Sequence, residues 1–339
     1  MSDPKFISVG ENIHCTRIYK VDGKYVTADN NGKYTIKYTA GDGKRELAVP
    51  KVFRENADWQ AGKIKHCAAA IWCGNYGSQE EQSAGKDYIR CSAMRQEQAG
   101  ATYLDINVDE FSTDVEERVE LIKWTVGVVQ EAVSCPVSVD SSNTEILRAG
   151  LSVCDASQGS PMVNSVSLER IDAVELAAEY NAVVIASAAG KKDLPSSCEE
   201  KLSNISAIMN KLREAGFSDD RIHVDPLVFP ISTNGSNGKD FLDTVKEVRN
   251  TYGSDIHIVA GLSNVSFGMP NRKLINRVFA RLAVDAGADG GIVDPMQING
   301  EVLNSMDRES KQFKLAQDLL LGEDEFGMNY ITASRNGEL

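Results

Sequence analysis

The chain has no uninterrupted apolar run near the roughly 18 residues that cross a bilayer as a helix, so no membrane partner is expected. Its opening segment, MSDPKFISVG, lacks the charged and apolar regions of a secretory leader, and a cytoplasmic protein is expected. Basic residues are in the minority, 36 Lys and Arg against 49 Asp and Glu for a net charge of −13. That deficit argues against nucleic acid, whose phosphates need clustered cations. Seven cysteines form no CxxC pair and no regular framework, which points to reduced thiols rather than a disulfide scaffold. There is no low-complexity tract, and no internal repeat beyond an alternation of short elements.

That alternation is the first positive signal. Short β-rich apolar segments fall at residues 6–10, 103–108, 137–140, 162–165, 183–187, 222–227, 257–262 and 291–294. Between them lie stretches with apolar residues at helical spacing, such as Val119, Ile122, Val126 and Val129, or Ile205, Ile208, Met209 and Leu212. Eight βα units predict a (β/α)8 TIM barrel, an α/β fold that a 339-residue chain accommodates with insertions. The predicted strands end in polar residues: Asp105 and Asn107, Asp140, Asn164, Asp225, Asn264 and Asp294. Those tips form the face where barrel enzymes keep their chemistry.

Residues 17–50 break the pattern, with alternating Tyr, Val and Ile and turn signals at Asp22-Gly23, Asn31-Gly32 and Asp42-Gly43. They predict an antiparallel β-hairpin region inserted after the first strand, either over the barrel mouth or packed peripherally. The organisation expected is a barrel over residues 1–322 containing this insertion, then a polar, loosely held tail over 323–339.

Six segments carry a resemblance: GENIHCTR (Gly10–Arg17), AGATYLDINVD (Ala99–Asp109), PVSVDSSN (Pro136–Asn143), MVNSVSLER (Met162–Arg170), IHVDPLVFP (Ile222–Pro230) and GLSNVSFGMPNRKLINR (Gly261–Arg277). In this order and spacing the chain resembles the pterin-binding barrel of methyltetrahydrofolate:corrinoid methyltransferases, a group that includes the folate module of methionine synthase. The resemblance implies a methyltransferase moving a methyl group between corrinoid cobalt and N5 of tetrahydrofolate. The favoured direction forms 5-methyltetrahydrofolate in catabolic one-carbon metabolism, the alternative being methyltetrahydrofolate to corrinoid. It implies tetrahydrofolate or 5-methyltetrahydrofolate as substrate, a corrinoid (cobalamin) carried by a partner protein or free, no metal bound by this chain, and a homodimer.

Residue by residue, the resemblance assigns Asp140 and Asp225 to the amino and N3–H side of the pterin, Asn164 to a bond further around the ring, and Asn264 to N5. Gly261 and Ser263 let the backbone approach the ligand, and Arg272 steers the carboxylates of the folate tail or pairs with a helix end. Glu11, Asp105 and Asn107 are expected in support. Asn264 cannot itself deliver a proton, but it can orient a network that favours the transition state. Plainer readings compete: Asp140-Ser141-Ser142 as a helix cap, Asp225 before Pro226 as turn chemistry, Asn164 as a satisfied core amide.

Two departures stand out. Asn12 and His14 occupy positions where the family more commonly has Arg and Asn, and the insertion has no counterpart there. Asp255-Ile256-His257 nearly matches a cobalt-ligating loop, but its glycine falls one residue late at Gly261, so His257 is not expected to ligate cobalt. His14, Cys15, His66, Cys67, Cys73 and Cys91 crowd the N-terminal third without matching a zinc spacing. A dihydropteroate synthase is disfavoured because Ser263-Asn264-Val265 stands where Ser-Arg-Lys is usual; a non-catalytic folate-binding subunit would have no need of Asn264.

Overall fold

The computed structural model describes residues 6–41 and 43–339. Eight parallel strands close into a barrel: β1 (Ile7–His14), β2 (Tyr103–Asn107), β3 (Val137–Asp140), β4 (Met162–Val166), β5 (Val183–Ser187), β6 (Ile222–Asp225), β7 (His257–Gly261) and β8 (Gly290–Val293). Each strand neighbours the next in sequence and β8 returns to β1, with helices between, as in a (β/α)8 TIM barrel. All five residues of β5 are buried, which suits a parallel strand covered on both faces. The chain divides into two compact units, one of residues 1–10, 99–102 and 162–339 and the other of 11–98 and 103–161.

Local chemistry sets the helix starts. Asp114 accepts a hydrogen bond from the Glu116 N–H ahead of Val115–Gln130, and Asn143 accepts from the Glu145 and Ile146 N–H groups ahead of Thr144–Leu151. Ahead of Cys198–Glu214, Ser197 caps the Glu200 N–H while the Glu200 carboxylate reaches back to Ser196. Asn143 thus takes the cap that the sequence could have assigned to Asp140.

The insertion runs further than residue 50. Strands Val26–Ala28, Tyr34–Ala40 and Gly43–Ala48 form one antiparallel sheet, while Ile18–Lys20 pairs with Lys63–Lys65 immediately before the helix His66–Tyr76. Asp42, part of the third turn signal, lies outside the described residues. The sheet packs on two helices: the Tyr38 hydroxyl donates to Asp87 at 2.6 Å, Arg45 pairs with the same carboxylate at 2.6 Å, and the Cys73 thiol donates to the Ala48 carbonyl. The C-terminal stretch differs from the loose tail that its polarity suggested, because Met328–Arg335 is helical, Tyr330 is fully buried, and the Asp324 carboxylate accepts from the Asn329 and Tyr330 N–H groups.

Strand β8 passes so close to β1 that a Cβ on Gly290 would lie 1.9 Å from the Ile7 carbonyl oxygen, a clash with backbone that no rotamer relieves. Gly290→Ala should therefore destabilise the fold by about 3 kcal/mol. Gly127→Ala, in a helix where nothing lies within 4 Å of the new methyl, should instead gain up to about 1 kcal/mol. Denaturant unfolding of both variants checks the pair.

Candidate active site

The unit of residues 11–98 and 103–161 gathers three strand tips. At the end of β1, His14 Nε2 lies 2.8 Å from Asp105 Oδ2 on β2, where Asp105 is fully buried. Two residues along the same face of β2, Asn107 donates its amide to Asp140 Oδ2 at 3.0 Å. The Asn107 side-chain oxygen Oδ1 accepts the Asp109 N–H, and Asp109 in turn accepts from the Ser141 hydroxyl and from the Ser142 N–H and hydroxyl. Glu11 is held by Arg17, whose guanidinium pairs with its carboxylate at 2.7 Å and donates to its backbone carbonyl. Glu11, Asp105 and Asn107 are thus each bonded to a neighbour within this unit.

The charges in this unit pull on one another. Burial works against a protonated His14, but the Asp105 hydrogen bond and the nearby Asp105 and Asp140 carboxylates outweigh it and raise its pKa. Burial, reinforced by the charge of Asp105, pushes the Asp140 carboxyl well above the usual range, with His14 and the Asn107 hydrogen bond opposing. Asp140 Oδ1 keeps no protein hydrogen bond among the described residues. Ligand atoms of His14, Asp105 and Asp140 lie within 4.8 Å of one another, so these three could hold a metal. The other members of the His/Cys crowd pack: His66 stacks on Tyr19 at 3.8 Å and bonds the Tyr88 hydroxyl, and Cys67 donates to the Asn12 carbonyl.

The other unit supplies the remaining tips. Asn164 lies within β4, followed by Ser165, whose hydroxyl accepts from Arg170 at 2.8 Å. Asp225 ends β6, and its Oδ1 accepts the Leu227 N–H at 2.8 Å, with Leu227 at φ +58°. Turn chemistry at Asp225 is therefore real, yet it uses one oxygen and leaves Oδ2 without a protein hydrogen bond. Burial lifts the Asp225 carboxyl to about 6.

After β7 the chain makes a tight turn, Leu262–Ser266, which carries Ser263 and Asn264. Arg272 fastens it, donating to the Ser266 hydroxyl and the Ser263 carbonyl at 2.9 Å while its guanidinium stacks over Phe267. Asn264 is exposed and its amide makes no hydrogen bond to the described protein. A Cβ on Gly261 would stand 3.1 Å from Asn264 Nδ2, so glycine there leaves the amide its space. His257 sits at the opposite end of β7, its ring 4.8 Å from that of His223 and 3.9 Å from Asp289.

Sequence reasoning missed Lys201. Only 3% exposed, it donates from Nζ to the Leu227 carbonyl at 2.9 Å and lies over the Phe229 ring. The signal was present: Lys201 falls on the apolar stripe of Ile205, Ile208 and Leu212, where a charged residue needs a reason.

Residues 78–294 match the model of the family described as pterin binding enzyme. The chain belongs to that family. A methylcorrinoid:tetrahydrofolate methyltransferase of Eubacterium limosum is 34% identical over 257 residues, covering 74% of this chain and 89% of the relative, and the chain is accordingly a methyltransferase. Among solved structures, a DHPS of Yersinia pestis with a pterine-sulfa conjugate has a TM-score of 0.50 at 19% identity, covering 63% of this chain and 84% of that one. A 7,8-dihydropteroate synthase from Vibrio fischeri has a TM-score of 0.51 at 16% identity, covering 72% and 87%. At such identities these two likenesses show the fold alone.

A carboxyl whose folded pKa is raised to about 6 binds its proton more tightly than in the unfolded chain. Its contribution to stability therefore declines as pH rises from about 4 through 6. Asp225→Asn keeps an acceptor for Leu227 without that ionisation. It should match wild type near pH 4 and exceed it near pH 8 by about 2 kcal/mol, as read by denaturant unfolding at the two pH values.

Proposed function

We propose that the protein transfers a methyl group from a methylcorrinoid to N5 of tetrahydrofolate, giving 5-methyltetrahydrofolate, with the corrinoid carried by a partner protein. The observation that carries this reading is Asn264: an amide free of protein bonds, at a strand tip, with a glycine clearing its space and an arginine fixing its turn. The kinship to the Eubacterium limosum enzyme, named for the same reaction, supports it. A catabolic setting, a cytoplasmic location and a homodimer belong to the same reading, with neither nucleic acid nor membrane as partner. Among the described residues no helix is long and apolar enough to cross a membrane.

In the transfer, the N5 lone pair forms the new bond to carbon, the carbon–cobalt bond breaks with its electrons remaining on the corrinoid substrate, and N5 then releases its proton. The chain's residues bind, orient and manage charge. A pterin presents an N–H-rich edge, and each of its polar atoms buried without a partner costs about 1 to 3 kcal/mol. The free oxygens of Asp140 and Asp225 suit that edge as acceptors, provided both groups are ionised. Asn164 answers the ring further round, while Gly261 and Ser263 admit it close to the backbone. Arg272 is committed to shaping the turn, and from there its charge also favours the anionic folate tail. Asn264 faces N5 and orients the network around it as charge changes there, so it acts in the transition state more than in binding.

Methylcobalamin or a methylated corrinoid protein mixed with the enzyme and tetrahydrofolate should lose its methyl-cobalt absorbance and yield 5-methyltetrahydrofolate by mass spectrometry. Asn264→Ala should slow that conversion about 100-fold while weakening folate binding far less. Equal losses in rate and affinity would remove its transition-state role. Folate binding by wild type without turnover would instead indicate a binding subunit.

A further inference from the structure

Lysine is among the residues least often fully buried, because the desolvated ammonium needs compensation. Lys201, on the helix Cys198–Glu214, is nevertheless only 3% exposed, and its compensation is partial. Of its three N–H donors, one meets the Leu227 carbonyl at 2.9 Å, and the face of Phe229 lies 5.1 Å from Nζ. The carbonyl it grips belongs to the residue whose N–H is held by Asp225 Oδ1. Leu227 has φ +58°, a conformation that a branched side chain adopts only when its surroundings impose it. One residue is thus tied at both backbone groups, to Lys201 through C=O and to Asp225 through N–H, and the tie fixes which Asp225 oxygen stays open.

We infer that Lys201 is a positioning residue for folate: through its charge and its hold on the Leu227 carbonyl it keeps the Asp225 carboxylate ionised and aimed at the N–H-rich edge of the pterin. The inference rests on the pterin reading of Asp225 given above. Among the described residues, Lys201 is the charged group that acts on Asp225, opposing the effect of burial; Asp225, Asp240 and the Cys198 thiol act in turn on Lys201. Burial itself lowers the Lys201 pKa, so the pair shares one balance: each charge makes the other cheaper to keep.

The test separates charge from tether. Lys201→Met keeps the stem over Phe229 and loses both; Lys201→Gln keeps an N–H donor for Leu227 and loses only the charge. With carboxyl-13C aspartate labelling, the Asp225 signal is the one absent from Asp225→Asn, and its titration midpoint is read in each protein. Either folded variant should move the midpoint upward by about one pH unit, which is about a tenfold loss of the ionised form below it. An unchanged midpoint in both overturns the inference, whatever their stability. Should the lysine variants not fold, Asp225→Asn supplies the reciprocal measurement, since coupling between two sites is mutual. Removing Asp225 should lower the Lys201 ammonium midpoint by the same amount, and no change there overturns the inference equally.

Calorimetric titration with tetrahydrofolate across about pH 5 to 8 adds the functional readout. In Lys201→Gln the pH at which affinity is half lost should rise in step with the carboxyl midpoint. Affinity reduced uniformly at all pH values would mark Lys201 as structural and overturn the inference. If wild type binds no folate at any pH, the pterin reading falls, while the carboxyl titration still decides whether Lys201 governs Asp225.

Discussion

Withdrawing a carboxylate from water at the tip of a β-strand is expensive, and this structure does so at Asp140 and Asp225, where burial lifts both carboxyls above their usual range. Much of the surrounding arrangement answers that demand. Around Asp140 the answer is a ladder of neighbours along β2, with the Asn107 amide on one oxygen and the His14–Asp105 pair close by. Around Asp225 it is a turn, with a backbone N–H on one oxygen and a buried ammonium in attendance. In both places one oxygen is stabilised and the other left open, so a ligand bearing N–H groups completes a hydrogen-bond set that the protein has left half made.

The region after β7 solves a different problem. The exposed Asn264 amide has no protein partner among the described residues, and its place is set by bracing the backbone of its turn rather than the side chain. Arg272 fastens the turn at two points and is itself flattened against Phe267, while the absent side chain of Gly261 leaves Asn264 room. The arginine is more than a surface cation for steering anions, because its donors are directed at Ser263 and Ser266.

The strands were legible because a parallel barrel writes its pattern locally: Val183–Ser187 and Val137–Asp140 fall at the bounds that apolar content suggests. Strand tips were legible too, since polar residues ending apolar runs stand out. Lys201 was marked by its place on an apolar stripe, but its partner was not, because the Leu227 carbonyl is a backbone atom 26 residues away and leaves no trace in side-chain composition. His14 showed as a departure from an expected motif and as one of a His/Cys crowd, but its partner did not, since its bond to Asp105 spans 91 positions. The insertion's true end at Lys65 escaped because Ile18–Lys20 pairs across an intervening sheet and two short helices, and such closure is set by pairing rather than by local pattern. The C-terminal helix was obscured because a single buried aromatic, Tyr330, anchors an otherwise polar stretch.

The three-stranded sheet of the insertion encloses its own apolar centre, Val26, Ile36 and Leu47, each wholly withdrawn from solvent. Its attachment runs chiefly through Asp87, the Ala48 carbonyl and stacked rings that include the neutral His66, none of them a strand-tip carboxylate or amide. Because the two sets of contacts share no residue, a change on the outer face of the sheet leaves every bond named at the strand tips in place.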